Sequence, residues 1–179
     1  MMNIKKFLLI SGLACLCGAC QSKPEPQTVF IPAIEVKAKP QVKHPLGIIG
    51  ATEPIYILPM KAPFQARIDT GAETSSIDVD EYHYFERAGE KWVSFKIKNA
   101  ANGESYTFEK RLVRKITIRR IKQSEKRPVV RLDVKFGGQI IKALFSLAKR
   151  ENFEYQALIG RNILTGRAIV DTSLSNTLH

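Results

Sequence analysis

The stretch of this 179-residue chain that decides the fold reads Phe64-Gln65-Ala66-Arg67-Ile68-Asp69-Thr70-Gly71-Ala72-Glu73-Thr74-Ser75-Ser76. Its first five residues predict a β-strand that runs directly into a loop. Asp69 places a carboxylate at the end of that strand, and the Thr70 hydroxyl can brace the loop by a hydrogen bond to the backbone. Gly71 permits a tight turn and leaves space beside the carboxylate, while the small Ala72 lets another backbone segment pack closely.

A second string adds to this signal, because Asp-Thr-Gly alone is weak: three-residue strings recur by chance, and such loops are ordinary turns. The second string reads Ala157-Leu158-Ile159-Gly160-Arg161-Asn162-Ile163-Leu164, and its glycine lies 91 residues after Asp69. Two apolar residues and a glycine lead into a short predicted helix, Arg161–Leu164. The order and spacing of the two strings suit one domain.

The two strings resemble the halves of the retroviral-protease fold, in which an apolar-apolar-Gly segment packs behind an Asp-Thr-Gly loop. Together with Pro128-Val129-Val130 and Ile169-Val170-Asp171, they are similar to the bacterial retropepsin-like aspartic peptidase family. That family is often labelled "ATP-dependent zinc protease" and is associated with RimK-type glutamate ligases. The resemblance covers roughly residues 46–175, nearly the whole domain.

What the resemblance implies for the site can be carried over residue by residue. Asp69 would be catalytic, and the supporting loop behind it would be Leu158, Ile159 and Gly160. Thr70, Gly71 and Ala72 would form the active-site loop. Glu73 stands where the family often has a basic residue, and this departure concerns substrate preference rather than the fold.

The chemistry of aspartic peptidases predicts a homodimer. These enzymes use two carboxylates about 3 Å apart that share one proton, and this chain has a single Asp-Thr-Gly. A two-fold axis would supply Asp69 from each subunit. Asp171-Thr172-Ser173 does not start a second lobe, because only eight residues follow Asp171. We expect it to form a terminal strand or turn, with Asp171 capping or solvated.

The rest of the domain predicts a mainly β protein, namely a retropepsin-like closed β-barrel with one or two short helices. A second short helix is predicted near Val79–Phe85. Asn102-Gly103 and Gly137-Gly138 are predicted hairpin turns, and Trp92 is predicted to be first a core residue and second a cleft residue. By resemblance to the family, a hairpin near Glu90–Gly103 can cover the cleft. The remaining predicted strands are Ile55–Leu58, Trp92–Lys98, Ser105–Phe108, Val113–Ile121, Val129–Phe136 and Ile140–Ser146.

The N-terminus reads as a secretory leader over residues 1–19. Two lysines precede a short apolar run, and the Gly18-Ala19-Cys20 ending resembles a bacterial lipobox. We expect lipidation at Cys20, the alternative being a secreted protein cut near Ala19. Residues 20–45 are rich in proline and predict an extended tether, followed by a retropepsin-like domain over residues 46–179. By resemblance to lipoproteins, the absence of Asp after Cys20 favours the periplasmic face of the outer membrane.

The composition limits the kinds of partner and cofactor that the protein is expected to bind. The formal charge is +11, with eleven basic residues between Lys110 and Lys135. These would either attract an anionic envelope component or acidic substrate, or form a solvated sheet face. A secreted protein does not normally meet nucleic acid, so none is expected. Three scattered histidines make a poor zinc site, and no phosphate-cradling Gly-x-x-x-x-Gly-Lys-Ser/Thr string is present, so we expect no metal and no cofactor.

The sequence therefore leaves three functions in competition. The leading hypothesis is a lipid-anchored periplasmic aspartic endopeptidase that cleaves peptide or protein substrates as a homodimer. The second is a non-catalytic binding or regulatory lipoprotein that keeps the same fold. The third is an envelope-binding module that uses the basic stretch from Lys110 to Lys135.

Overall fold

The computed structural model describes residues 43–119, 124–149 and 154–178. Within these ranges no helix has both the length and the apolar character needed to cross a membrane. The residues in these ranges form twelve strands and one short helix. They are β1 (Gly47–Ile49), β2 (Thr52–Ile57), β3 (Phe64–Ile68), β4 (Ser75–Asp78), β5 (Tyr82–Arg87), β6 (Glu90–Lys98), β7 (Ser105–Arg111), β8 (Arg114–Arg119), β9 (Ser124–Phe136), β10 (Gln139–Ala148), β11 (Ala157–Ile159), α1 (Arg161–Leu164) and β12 (Ala168–Val170).

The central sheet closes on itself, which confirms the predicted barrel. Six strands form a ring in the order β10-β4-β11-β3-β2-β9, and β9 pairs again with β10 to complete it. Two of the pairings are parallel, β10 with β4 and β11 with β3. Strand β8 continues the sheet beyond the ring by pairing with β9 alone. The ring brings the chain around residue 68 next to the chain around residue 159, although 91 residues separate them.

The interior of the ring is filled by the alternate side chains that the sequence pattern placed inward. In β9, Val130, Leu132, Val134 and Phe136 are buried, whereas Arg131 and Lys135 between them are exposed. The Gly137-Gly138 turn joins β9 to β10, and both glycines have the positive φ, 54° and 74°, that a two-residue hairpin requires. This hairpin prediction and the strand predictions on either side of it are confirmed.

A separate three-stranded sheet, β5-β6-β7, shows where the sequence prediction was wrong. The helix expected at Val79–Phe85 is instead the start of β5, which pairs antiparallel with β6. The residues of β5 are mostly aromatic and suit a strand, and Ala88 and Gly89 form a two-residue turn with φ of 51° and 75°. The predicted turn at Asn102-Gly103 is confirmed, because it joins β6 to β7.

Trp92 does not lie in the barrel core. It is half-buried on β6, tilted against Phe85 with ring centroids 6.3 Å apart. It also lines a groove of about 640 Å³ between the two sheets, together with Arg131 and Lys142. The core prediction for this residue was therefore wrong, and the groove that it does line is separate from the loop at Asp69.

A buried carboxylate holds the C-terminal segment against the barrel. Glu53 in β2 is fully buried and accepts hydrogen bonds from the amides of Gly50, Thr177 and Leu178 and from the Thr177 hydroxyl, at 2.6 to 3.1 Å. Burial by itself would raise the pKa of Glu53, but these hydrogen bonds outweigh it and the pKa lies below its usual value. Gly50 permits the contact, since a Cβ there would lie 2.4 Å from the Leu174 carbonyl oxygen.

We predict that Glu53→Gln lowers the free energy of unfolding by about 1–3 kcal/mol near neutral pH. The amide group would turn one acceptor into a donor that faces backbone N–H groups. Because the pKa of Glu53 is lowered in the fold, its ionic contribution is complete above the unfolded-state pKa and disappears as pH falls through the folded-state pKa.

Urea unfolding of both proteins across the acidic range measures this effect, with the exposed Glu86→Gln as the control. The difference between wild type and Glu53→Gln should shrink as the pH is lowered. A difference that is absent at neutral pH would show that the carboxylate does not hold the C-terminal segment.

Candidate active site

The loop that follows β3 holds the Asp69 carboxylate with its own backbone. Asp69 is half-buried, and its Oδ1 accepts hydrogen bonds from the amides of Gly71 at 2.9 Å and Ala72 at 3.1 Å. A Cβ on Gly71 would lie 3.2 Å from that same oxygen, so glycine leaves room for the carboxylate. The carboxylate is thus oriented by backbone amides of its own loop, within residues 69–72.

The second sequence string lies directly behind this loop. Strand β11 runs parallel to β3 with Leu158 opposite Arg67 and Ile159 opposite Ile68, and the Ile159 carbonyl accepts from the Asp69 amide at 2.9 Å. Gly160 follows at the closest approach, where a Cβ would lie 2.8 Å from the Ala72 carbonyl oxygen. The structure therefore brings together the Asp-Thr-Gly-Ala loop and the Leu-Ile-Gly segment.

Two residues of α1 bind four successive carbonyl groups of the loop. The Arg161 guanidinium donates to the carbonyls of Thr70 at 3.0 Å and Gly71 at 2.6 Å. The Arg161 amide donates to the Ala72 carbonyl at 2.8 Å, and the Asn162 amide donates to the Glu73 carbonyl at 3.1 Å. These bonds fix the path of the loop on the side away from the carboxylate.

Ser75 and Asn162 form a second connection between the two sequence strings. The Asn162 Oδ1 accepts from both the amide and the hydroxyl of Ser75 at 2.8 Å, and its Nδ2 donates to the Leu144 carbonyl at 2.9 Å. The fully buried Ser75 hydroxyl also accepts from the Gly160 amide at 3.0 Å. Sequence reasoning assigned no role to Ser75, Arg161 or Asn162. The available signal was the Gly-Arg-Asn string directly after the two apolar residues.

Thr70 does not brace the loop as expected. Its side chain is exposed, and its hydroxyl makes no hydrogen bond within the described part of the chain. The Arg161 guanidinium and the Asp69 carboxylate stabilise the loop instead. The Thr70 hydroxyl therefore stays available on the surface of the loop.

Asp69 lies in a cleft of about 420 Å³ whose wall is the hairpin formed by β8 and β9. Arg114, Ile116 and Ile118 of β8 and Arg127 of β9 line it, so the hairpin expected near Glu90–Gly103 is not the one that covers this cleft. The opposite surface consists of side chains from β4, β10 and β11, namely Ser76, Ser146 and Leu158.

Some side chains of the basic stretch from Lys110 to Lys135 line this cleft, and others lie on the outer surface. Arg127 is only 5% exposed and donates to Glu125 at 2.6 Å. Arg114 donates to the Thr74 hydroxyl at 3.1 Å and lies 3.8 Å from the Glu73 carboxylate. The other side chains of β8 and β9 from this stretch that the structure describes are exposed; they are Lys115, Lys126, Arg131 and Lys135.

The cleft contains one carboxylate suited to acid–base chemistry. The other carboxylate on its lining, among the residues that the structure describes, is Glu73, whose side chain is 81% exposed. Asp171 lies outside the cleft, after β12. Hydrogen bonds from the Ser173 hydroxyl and amide hold the pKa of Asp171 below its usual value, so it is the capping turn residue that the sequence predicted. Within the described ranges, no group of three or more His, Cys, Asp and Glu side chains could hold a metal ion.

A closed β-barrel with an Asp-Thr-Gly loop backed by an apolar-apolar-Gly segment defines a retropepsin-like protein. The sequence model of the RimB-like family, described as the retropepsin-like aspartic endopeptidase RimB, matches residues 48–178. The chain belongs to this family, which confirms the resemblance seen in the sequence.

The chain is also similar to curated relatives and to a solved structure. The chain is 33% identical over 132 residues to a probable alpha-L-glutamate ligase of Shewanella pealeana and 34% identical over 134 residues to one of Shewanella halifaxensis. Each match covers 72% of this chain but only 29% of the relative. A crystal structure of the Legionella pneumophila protein Lpg0085, of unknown function, is 28% identical with a TM-score of 0.64, covering 74% of this chain and 98% of that one.

We predict that Ser75→Ala lowers the free energy of unfolding by about 1–3 kcal/mol, because the Gly160 amide would lose its acceptor in a buried place. Ser146→Ala is the matched control. It removes a buried hydroxyl from the neighbouring strand, which makes only a 3.4 Å hydrogen bond to the Ser75 carbonyl. Thermal or urea unfolding compares the two variants. Equal losses of unfolding free energy would show that the Ser75 hydroxyl does not connect the two sequence strings.

Proposed function

We propose that this protein is an aspartic endopeptidase that works as a homodimer, with Asp69 of each subunit at a shared site. The observation that carries the proposal is the geometry of Asp69. Its carboxylate is oriented by two backbone amides at the edge of a cleft, and no second aspartate lines that cleft within the described residues. A second copy of the same loop would complete the pair without any further sequence.

The mechanism follows from placing two such carboxylates about 3 Å apart. Two negative charges at that distance repel each other strongly, so the two carboxyl groups share one proton. The ionised Asp69 accepts a proton from a water molecule as the water attacks the peptide carbonyl. The protonated Asp69 of the second subunit polarises that carbonyl. The proton taken from the water then passes to the leaving amine.

The fold supports this role by fixing the carboxylate before substrate binds. The hydrogen bonds from Gly71 and Ala72 hold Oδ1, and the bonds from Arg161 hold the loop from behind. Such a site loses little free energy to reorganisation during the reaction. The ligase name of the Shewanella proteins is not carried over to this chain, because the match covers 29% of their length.

An apolar face on the two-stranded sheet β1-β12 is the surface that we assign to the dimer. Ile48 and Ile169 are directly opposite in register and are 56% and 50% exposed. Leu174 nearby in sequence is 40% exposed. Adjacent exposed apolar side chains on a small protein favour burial against a partner, and a two-fold axis would bury this face against its own copy.

The sequence also supports a cellular location for the proposed enzyme. The Gly18-Ala19-Cys20 lipobox and the proline-rich residues 20–45 favour a lipid-anchored protein at the periplasmic face of the outer membrane. The exposed basic side chains of β8 and β9 support a second candidate function, namely binding of an anionic envelope component by a non-catalytic protein of the same fold.

We predict that Asp69→Asn lowers the cleavage rate of a denatured protein mixture by about a thousandfold or more. The amide is nearly isosteric and its oxygen can still accept from the loop amides, but it can neither take up nor release the proton. Asp171→Asn is the matched control, because it changes an exposed aspartate that also precedes a threonine. Mass spectrometry of the products between about pH 4 and 7 measures both.

The outcome separates the two candidate functions. Cleavage by wild type and Asp171→Asn but not by Asp69→Asn supports the peptidase. Cleavage that survives in Asp69→Asn contradicts the mechanism. If the wild-type protein is a folded dimer and cleaves nothing, the binding function becomes the better proposal.

We predict that replacing both Ile48 and Ile169 with lysine converts the dimer to monomers and abolishes cleavage together with dimerisation. Four positive charges would face each other across the two-fold axis and oppose its closure. Ile140→Lys is the control, since Ile140 is 71% exposed and lies outside β1 and β12. Light scattering measures the mass, and a double variant that stays dimeric would place the interface elsewhere.

A further inference from the structure

The wall of the Asp69 cleft is the β8-β9 hairpin, in which β8 is joined to the barrel through its pairing with β9. Strand β8 pairs with β9 and with no other strand that the structure describes. Arg114, Ile116 and Ile118 line the cleft, so Lys115 and Thr117 between them face away from it. The position of this wall therefore depends on the hydrogen bond from Arg114 to Thr74 inside the cleft and on what contacts the outer face of the hairpin.

Strand β5 of the three-stranded sheet makes that contact through two tyrosines. The Tyr82 hydroxyl donates to the Lys126 carbonyl at 3.4 Å. The Lys115 ammonium lies 4.1 Å from the centroid of the Tyr84 ring, a distance typical of a cation–π interaction. The two tyrosine rings pack edge to face with centroids 5.7 Å apart, so they act as one unit against the hairpin.

The sheet that carries these tyrosines is itself firmly held. Val93, Phe95 and Ile97 of β6 and Phe108 of β7 are buried in the main core. The Phe95 and Phe108 rings stack with centroids 5.4 Å apart. The three-stranded sheet is thus fixed to the core by large apolar side chains, and it can support a neighbouring element that is less firmly held.

The contact between the sheet and the hairpin is small by comparison. A groove of about 280 Å³ lined by Tyr84, Phe85, Lys91 and Lys115 opens beside it, and Tyr84 is 44% exposed. Separating the hairpin from β5 would break the hydrogen bond from Tyr82 to Lys126 and the cation–π contact of Lys115 with Tyr84. The wall can therefore move without local unfolding of the core.

We propose that Tyr82 and Tyr84 are positioning residues that set the resting position of the β8-β9 hairpin over the Asp69 cleft. The three-stranded sheet acts through them on the width of the cleft and hence on the entry of an extended peptide. The expected effect on peptide entry rests on the proposed peptidase function. The support of the hairpin by the two tyrosines does not depend on that function and is tested separately.

The test is hydrogen exchange on the full chain, comparing wild type with the double variant Tyr82→Phe, Tyr84→Leu. We expect the amides of β8 and of residues 124–127 to exchange about three- to tenfold faster, because the outer support is removed. Amides of residues 129–136 in the barrel should exchange as in wild type. Lys115→Met, which keeps the aliphatic stem and removes the charge, should give a smaller increase in the same amides.

Tyr106→Leu is the matched control. Tyr106 lies on β7 of the same sheet, is 45% exposed and packs edge to face on Phe108 at 4.8 Å, but it makes no contact with the hairpin that the structure records. Unchanged exchange of β8 in the tyrosine double variant would overturn the proposal. Equal acceleration in Tyr106→Leu would also overturn it, because the effect would then come from loss of sheet stability.

Peptide hydrolysis provides the second readout. The double variant should change KM several-fold with kcat nearly constant, since the hairpin contacts substrate but not the reacting proton. A loss of kcat at constant KM would contradict the positioning role. If wild type cleaves no peptide, the exchange result still decides whether the tyrosines support the hairpin, while the peptidase proposal fails by itself.

Discussion

The close approach of two backbone segments behind Asp69 is the contact on which the rest of the site depends. Gly160 lies so near the Ala72 carbonyl that any side chain would overlap it. That approach lets Arg161 and Asn162 satisfy four successive carbonyl groups, from Thr70 to Glu73. While these carbonyls accept hydrogen bonds from Arg161 and Asn162, the Gly71 and Ala72 amides of the same loop hold the Asp69 carboxylate.

The barrel makes this approach possible by pairing strands that are distant in sequence. The parallel pairs β3-β11 and β4-β10 bring residues 66–78 beside residues 145–159. Parallel neighbours need long connections, and the three-stranded sheet and the β8-β9 hairpin lie within one of them. The site is therefore built on strand ends that the core fixes, whereas the wall of the cleft is attached more loosely. A carboxylate fixed by the core beside a wall that is held less firmly would suit the proposed peptidase, which must admit an extended chain.

Sequence reasoning predicted the barrel well where short-range patterns are strong. Alternation in β9 and the paired glycines at 137 and 138 specify strand and turn without help from the rest of the protein. It failed at Val79–Phe85, because a short apolar and polar mixture there fits a helix until the partner strand β6 is known. It also missed Ser75 and Asn162, since the value of a serine hydroxyl depends on which buried amide lies opposite it.

The sequence by itself determined the family, the barrel class and the identity of Asp69 as the candidate catalytic residue, because these depend on two short strings whose residue types have few alternatives. Only the tertiary structure decided what holds the loop, which hairpin forms the cleft and that Arg127 is buried in it. The contacts that hold the loop and the hairpin in place join residues 40 to 91 positions apart. Such contacts leave no local pattern, because each partner is an ordinary polar or aromatic residue until folding places it beside the other.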